Sequence, residues 1–188
     1  VLAGAGSGKT RTLTYRVARL MESGVSPDRI LLATFTNKAA RTMLSRVKSL
    51  TDLDISRMWG GTFHHIAHLI LRSNSLLLGY GRNFSILDSE DSIQLINACI
   101  SEIGIDTKSV KFPKGDVLRD IISFSFNTET ALEDVIRTRH PYFCHCLDDL
   151  KSAAARYEIR KKALNVMDFD DLLINTRKLL IDHPDVLQ

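Results

Sequence analysis

Three times in the first part of the chain a short apolar run gives way to a polar turn and then to a segment with helical spacing. The first apolar run is Val1-Leu2-Ala3, followed by a glycine-rich turn and by Thr10 to Glu22, with Leu13, Val17, Leu20 and Met21 on one helical face and a close near Gly24. The second runs from Ile30 to Ala33, turns through "TFTN" and continues as a helix through "RTMLSRVKSL". In the third, "MWGGTFHHIAHLILR", Met58 and Trp59 end a strand, Gly60 and Gly61 free the backbone, and Thr62 caps a helix with Ile66, Leu69 and Ile70 inward. Strands alternating with helices predict an α/β fold with a parallel sheet. The three turns then share the carboxyl edge of that sheet, where ligands bind.

From about residue 82 to 165 the pattern changes to helices without intervening strands. Apolar spacing recurs in "SIQLINACISEI" and "DVLRDIISFSF", with turn signals at Gly104, "FPKGD" and "HPY". A last apolar-acidic stretch, "VMDFDDLL", precedes the closing residues.

Composition removes several classes. The 188 residues are 44% hydrophobic, ordinary for a globular chain, and no apolar run approaches the ~20 residues of a membrane span. Three cysteines, Cys99, Cys144 and Cys146, are too few for a disulfide framework and point to a reducing, intracellular setting, cytoplasm or nucleoid if the source is bacterial. With no initiator Met and no signal-like leader, the sequence reads as a piece truncated at both ends. The net charge of +3 conceals an uneven distribution: residues 1–75 carry the basic excess and the remainder is net acidic. A basic first part is compatible with a polyanionic partner, although such charge is more often a solvated face.

The opening turn carries the most specific chemistry. Ala3, Gly4, Ala5, Gly6, Ser7, Gly8, Lys9 and Thr10 match the phosphate-loop pattern GxxxxGK(S/T) with Ala3 in place of the first glycine. The glycines let backbone N–H groups converge on phosphate oxygens at a helix N-terminus, Lys9 supplies a charge to the outer phosphates, and the Thr10 hydroxyl ligates Mg²⁺. The second and third turns offer Thr34, Phe35, Thr36, Asn37 and Lys38, then Thr62, Phe63 and His64. Aromatic faces beside hydroxyl, amide and ammonium donors suit single-stranded nucleic acid. The plainer alternative leaves Phe35 in the core and uses Thr36 or Asn37 as a helix cap.

Two other clusters invite chemistry. "HHIAH" lacks the Glu of a zinc-protease helix because His65 stands there, and His140, Cys144, His145 and Cys146 have no second paired cluster at finger spacing. Asp168, Asp170 and Asp171 resemble a magnesium-binding acid motif, but Asn165 interrupts the strand such a motif needs. A helix start capped by Asp168, with Asp171 three residues on, accounts for them without catalysis. The basic run "ARYEIRKKAL" reads either as a local DNA contact or as a solvated helix face.

"AGAGSGKT", "TFTNKAA" and "GTFHHIAH", in this order and spacing, resemble motifs I, Ia and Ib of the UvrD/Rep/PcrA group of superfamily 1 DNA helicases. "FSILDSEDS" and "VMDFDDLL" resemble that group's entry into and return from an inserted helical subdomain. The resemblance implies a RecA-like P-loop NTPase domain in residues 1–81, the inserted subdomain in 82–165 and a return in 166–188. It implies an ATP-driven motor that walks 3′ to 5′ on single-stranded DNA, unwinding at single-strand/duplex junctions, with ATP and Mg²⁺ as cofactors. It assigns Ala3 to Thr10 and Arg11 to the nucleotide, and Phe35 to Lys38 with Thr62 to His64 to DNA. The acidic hydrolysis motif and the second motor domain are expected beyond Gln188, so this stretch is expected to bind nucleotide without hydrolysing it. The rival readings are a small-molecule P-loop kinase and a non-catalytic DNA- or partner-binding remnant.

Overall fold

The structure, a computed structural model, describes Gly4, residues 7–105, Thr107 and residues 111–187. The chain divides into two compact units, residues 1–69 and 70–188.

In the first unit, helix α1 (Lys9–Glu22) leads to strand β1 (Leu31–Thr34), helix α2 (Asn37–Leu50), strand β2 (Trp59–Thr62) and helix α3 (Phe63–Asn74), which crosses the division. β1 and β2 pair in parallel, Leu31 opposite Trp59 through Thr34 opposite Thr62. Thus β2 runs through both glycines, which sequence reading placed in the turn. The reason is packing: without a side chain at Gly60, Leu44 of α2 lies against the strand where a Cβ would stand. α1 buries Thr14, Val17, Ala18 and Met21 at helical spacing, while Leu13, expected inside, is exposed. Its end is closed as expected at Gly24, whose φ of +93° lets Gly24 N–H bond Met21 O and Val25 N–H bond Leu20 O. Val17, Met21, Ile30, Leu32, Met43, Val47 and Met58 form one small core joining both helices to the sheet.

In the second unit, strand β3 (Ser85–Ile86) is followed by helices α4 (Ser89–Glu102), α5 (Gly115–Thr128), α6 (Leu132–Arg139) and α7 (Leu147–Ala163). Strand β4 (Val166–Met167) then pairs in parallel with β3, and helix α8 (Phe169–Asp182) follows. Ile96, Cys99, Leu118, Ile121, Val135, Ile136, Leu150, Ala153 and Tyr157 make the bundle core. The base of the bundle is tied by Asn165, left-handed at φ 54°, whose Oδ1 accepts from Gly81 N–H at 2.7 Å.

The described residues therefore form a mixed α/β chain that is mostly helical, with two short two-stranded parallel sheets. The wide sheet of a complete RecA-like domain is not formed among them, and the strand expected at Val1 to Ala3 lies outside the described residues. The division falls at residue 69, whereas the sequence reading places its first boundary at 81. β4 and α8 group with the second unit.

Candidate nucleotide and nucleic-acid site

The expected phosphate-binding residues Ala3, Ala5 and Gly6 lie outside the described residues; Gly4 and Ser7 to Arg11 are described. Gly8 caps α1 with φ +82°, a left-handed conformation that costs a non-glycine residue about 1–2 kcal/mol. Among the described residues no side chain caps this helix and its first turn holds no acid, so its N–H groups and dipole face outward without a local anion. Ser7 Oγ donates to Gly4 O at 2.7 Å, and Lys9 Nζ folds back to donate to the same oxygen at 2.5 Å. The ammonium thus already turns toward the loop that a phosphate would occupy. Thr10 is exposed in the first turn, and Arg11 reaches over the Tyr15 ring at 5.5 Å. This donor set fits a nucleotide polyphosphate with Mg²⁺: lysine ammonium, threonine hydroxyl, and a helix start with no competing carboxylate.

The sheet edge is built twice by one device. Thr34 and Thr62 are the last register pair of β1 and β2, and each is followed by phenylalanine. Phe35 and Phe63 therefore leave the sheet side by side, with ring centroids 5.1 Å apart at 53°. Phe35 is 86% exposed and Phe63 43%, so the core alternative for Phe35 does not hold. The cap half of that alternative does hold: Thr36 Oγ1 accepts from Ala39 N–H at 3.1 Å. Thr62 Oγ1 does the same for α3, accepting from His65 N–H at 3.2 Å. Asn37 and Lys38 are exposed in the first turn of α2, and His64 is half-buried one residue beyond Phe63. In α3 the inward residues are Ile66, Ala67 and Leu71; Leu69, expected inside, is exposed. α3 starts at Phe63, directly after its Thr62 cap.

Neither the acid trio nor the basic run stands free. Asp168 Oδ1 accepts from Asp171 N–H and Asp171 Oδ2 from Asp168 N–H, a reciprocal cap on α8. Lys161, 1% exposed, places its ammonium 2.9 Å from Asp168, 2.8 Å from Asp171 and 2.9 Å from Glu158. Tyr157 donates to Asp168 Oδ2 at 2.9 Å. Burial works against the Lys161 ammonium, but the three carboxylates outweigh it and hold its pKa above the ordinary lysine value. Burial, together with the Asp168 and Glu158 carboxylates, pushes Asp171 up to about 7 although Lys161 opposes it. Burial also works against the Asp168 carboxylate, yet Lys161 and its hydrogen bonds keep it below the usual range. Sequence reading found the cap and missed the lysine. The signal was its register: Leu150, Ala153, Tyr157 and Lys161 fall on one buried face of α7. Nearby, Arg156 and Arg160 clasp Glu102 at 2.7 and 3.1 Å, and Lys162 lies over Tyr80. The run "ARYEIRKKAL" thus works within the second unit.

His145 Nδ1 bonds Tyr142 O, and the buried Cys146 bonds Phe143 O through its sulfur. Among the described residues no cluster of His, Cys, Asp and Glu is arranged to hold a metal, and no helix is long and apolar enough to cross a membrane.

The structure thus presents a parallel sheet edge with a glycine-turned helix start and paired threonine-phenylalanine corners. Residues 1–188 match the UvrD/REP helicase N-terminal domain, and the chain belongs to that family. It is similar to the ATP-dependent DNA helicase PcrA of Bacillus subtilis, 39% identical over the full chain, which covers 25% of that protein. It also resembles the PcrA helicases of Leuconostoc citreum, 36% identical over 24% of its length, and of Staphylococcus aureus, 37% identical over 25%. The chain thus spans about a quarter of the relatives it matches.

Proposed function

We propose that the chain is the nucleotide-binding, strand-gripping part of an ATP-dependent DNA helicase that moves 3′ to 5′ on single-stranded DNA. The observation that carries this reading is the Phe35–Phe63 pair, exposed at the carboxyl edge of two parallel strands. Stacked bases and aromatic rings attract without regard to sequence, which is what a translocating motor needs. Asn37 and Lys38 supply donors to the adjoining phosphates. The remaining candidates, Thr34, Thr36, Thr62 and His64, shape the two corners that hold the rings.

Gly4 and Ser7 to Arg11, with Ala3, Ala5 and Gly6, would hold ATP, and Thr10 its Mg²⁺. Bound ATP supplies the phosphoryl-transfer chemistry. Lys9 neutralises charge on the outer phosphates, and the N-terminal turn of α1 orients them. Within this stretch the Asp168–Asp171 pair is engaged with Lys161 and its own helix cap, which supports nucleotide binding without hydrolysis by these residues. In this reading residues 1–81 belong to the first motor domain, 82–165 to its helical insert and 166–188 to the return, and single-strand/duplex junctions are the substrate in the cell's DNA.

The test is fluorescence anisotropy of a labelled oligothymidylate with and without a non-hydrolysable ATP analogue and Mg²⁺. Phe35→Ala is expected to weaken binding by about 1–3 kcal/mol, the worth of one lost stacking platform. Lys9→Ala is expected to abolish any nucleotide effect while leaving strand binding intact. Single-strand binding indifferent to Phe35 would refute the platform.

A further inference from the structure

Helix α2 begins beside the phenylalanine platform and runs away from it. Its 14 residues include Lys38, Arg41, Arg46 and Lys48 and no acid. Ala40, Met43 and Val47 take the buried face. All four cations lie on the opposite, exposed side, where the other outward positions are Thr42, Ser45 and Ser49. Every fully exposed side chain after the first turn of this helix is therefore a cation or a hydroxyl. An ordinary solvated helix mixes both signs of charge, and the i, i+3 and i, i+4 places here would accept a glutamate. None of the four forms an ion pair among the described residues; Lys48 feels the Asp54 carboxylate only at longer range. Elsewhere in this unit Arg57 pairs with Asp28 at 3.3 Å.

Lys38, Arg41, Ser45 and Lys48 fall at i, i+3, i+7 and i+10, one nearly straight line along the outer face. From Lys38 to Lys48 this line extends about 15 Å at the usual helical rise. Its head is the first turn of α2, directly after Phe35 and the Thr36 cap.

We infer that this line is a phosphate track: a single strand stacked on Phe35 and Phe63 continues down the outer face of α2, with Arg41 and Lys48 neutralising successive backbone phosphates. The inference rests on the strand-binding reading above and extends it, adding a length of path that base stacking does not supply. Its chemistry is non-specific, charge against phosphate, so it contributes grip and salt sensitivity but no sequence preference.

The experiment measures anisotropy with labelled oligothymidylates from roughly 4 to 16 nucleotides, the range of compact single-strand sites. Wild type, Phe35→Ala, the double variant Arg41→Gln/Lys48→Gln, and a charge-matched control on α1, Arg16→Gln/Arg19→Gln, are compared. Glutamine preserves helix propensity, and circular dichroism checks the fold. The wild type is expected to gain affinity with oligomer length, and the α2 double variant to lose that gain. Two lost phosphate contacts make the slope of log K against log salt shallower by about 1.4, so from about 50 to 200 mM salt the double variant loses about sevenfold less affinity than wild type. The α1 control is expected to keep the wild-type length dependence and slope. A double variant indistinguishable from wild type, or an α1 control that matches it, overturns the track while Phe35→Ala still reports on the platform. A double variant that weakens blunt duplex more than single strand overturns it as well. Absence of any single-strand binding by wild type removes the strand-binding reading itself and the track with it.

Discussion

Lys161→Met is expected to be among the most damaging single substitutions in the second unit. The lysine is 1% exposed and its ammonium stands within 2.9 Å of three carboxylates. Methionine fills similar volume, so the loss is electrostatic: Asp168 and Asp171 stay buried without a counter-charge. Asp168 keeps Tyr157 and the α8 N–H of Asp171, while Asp171 keeps only the Asp168 N–H among its described partners. Breaking a buried pair from one side costs about 3–5 kcal/mol. In a chain of this size that corresponds to a Tm lower by roughly 6–20 °C. The sign of the pH dependence follows from the carboxylates. In wild type the depressed Asp168 contributes stability above its ordinary pKa and loses it as pH falls. In the variant burial raises both carboxylates, so the folded state holds protons more tightly than the unfolded chain and its stability falls as pH rises above about 4. Asp171 is already held up to about 7 in wild type, so from pH 5 to pH 7 it lowers stability in both proteins alike; the gap widens through Asp168 alone, by up to about 1.4 kcal/mol per pH unit. Urea unfolding followed by helix ellipticity at both pH values reads this directly. A loss under about 1 kcal/mol, or a gap of equal size at the two pH values, would refute the account of Lys161 as the counter-ion of this cluster.

Two further substitutions test the corners of the first unit. Thr36→Ala removes the oxygen that caps α2 through Ala39 N–H and is expected to cost about 1 kcal/mol in urea unfolding, with strand binding weakened because the Phe35 corner loses its anchor. Gly8→Ala meets no neighbouring atom among the described residues but forces φ +82° on a residue with a Cβ. An expected cost of about 1–2 kcal/mol and loss of nucleotide binding would be read by thermal unfolding and by a fluorescent ATP analogue.

The order of elements in the first unit was legible because each turn carries its own chemistry: glycines where the backbone must bend left-handed, and threonines at helix starts. Gly24, Thr36 and Thr62 sit where that logic places them. Periodicity was less exact. Leu13 and Leu69 are apolar yet exposed, since helical spacing marks a broad face and not how far its neighbours cover it. In the candidate site the sequence named Phe35 and Phe63 as neighbours on one edge, but their contact depends on the register of Thr34 with Thr62, which is a property of the paired strands. Lys161 escaped notice for a different reason. A lysine in a basic run reads as solvent-facing, and only the turn of the chain from α7 through β4 to the start of α8 makes it the partner of Asp168 and Asp171.

The pairing of β3 with β4 has a mechanical meaning. The chain departs on an excursion whose two ends are stitched together by two residue pairs and by the bond from Gly81 to Asn165, 84 positions apart. Closing a loop of that length costs roughly 4 kcal/mol of chain entropy beyond a constant. The four helices between those ends make their own core, and the excursion is also held to α8, by Lys161 to Asp168 and Asp171 and by Asn127 to Asp170. Such an excursion can be grafted or exchanged as a cassette without rethreading the rest of the chain when α8 travels with it.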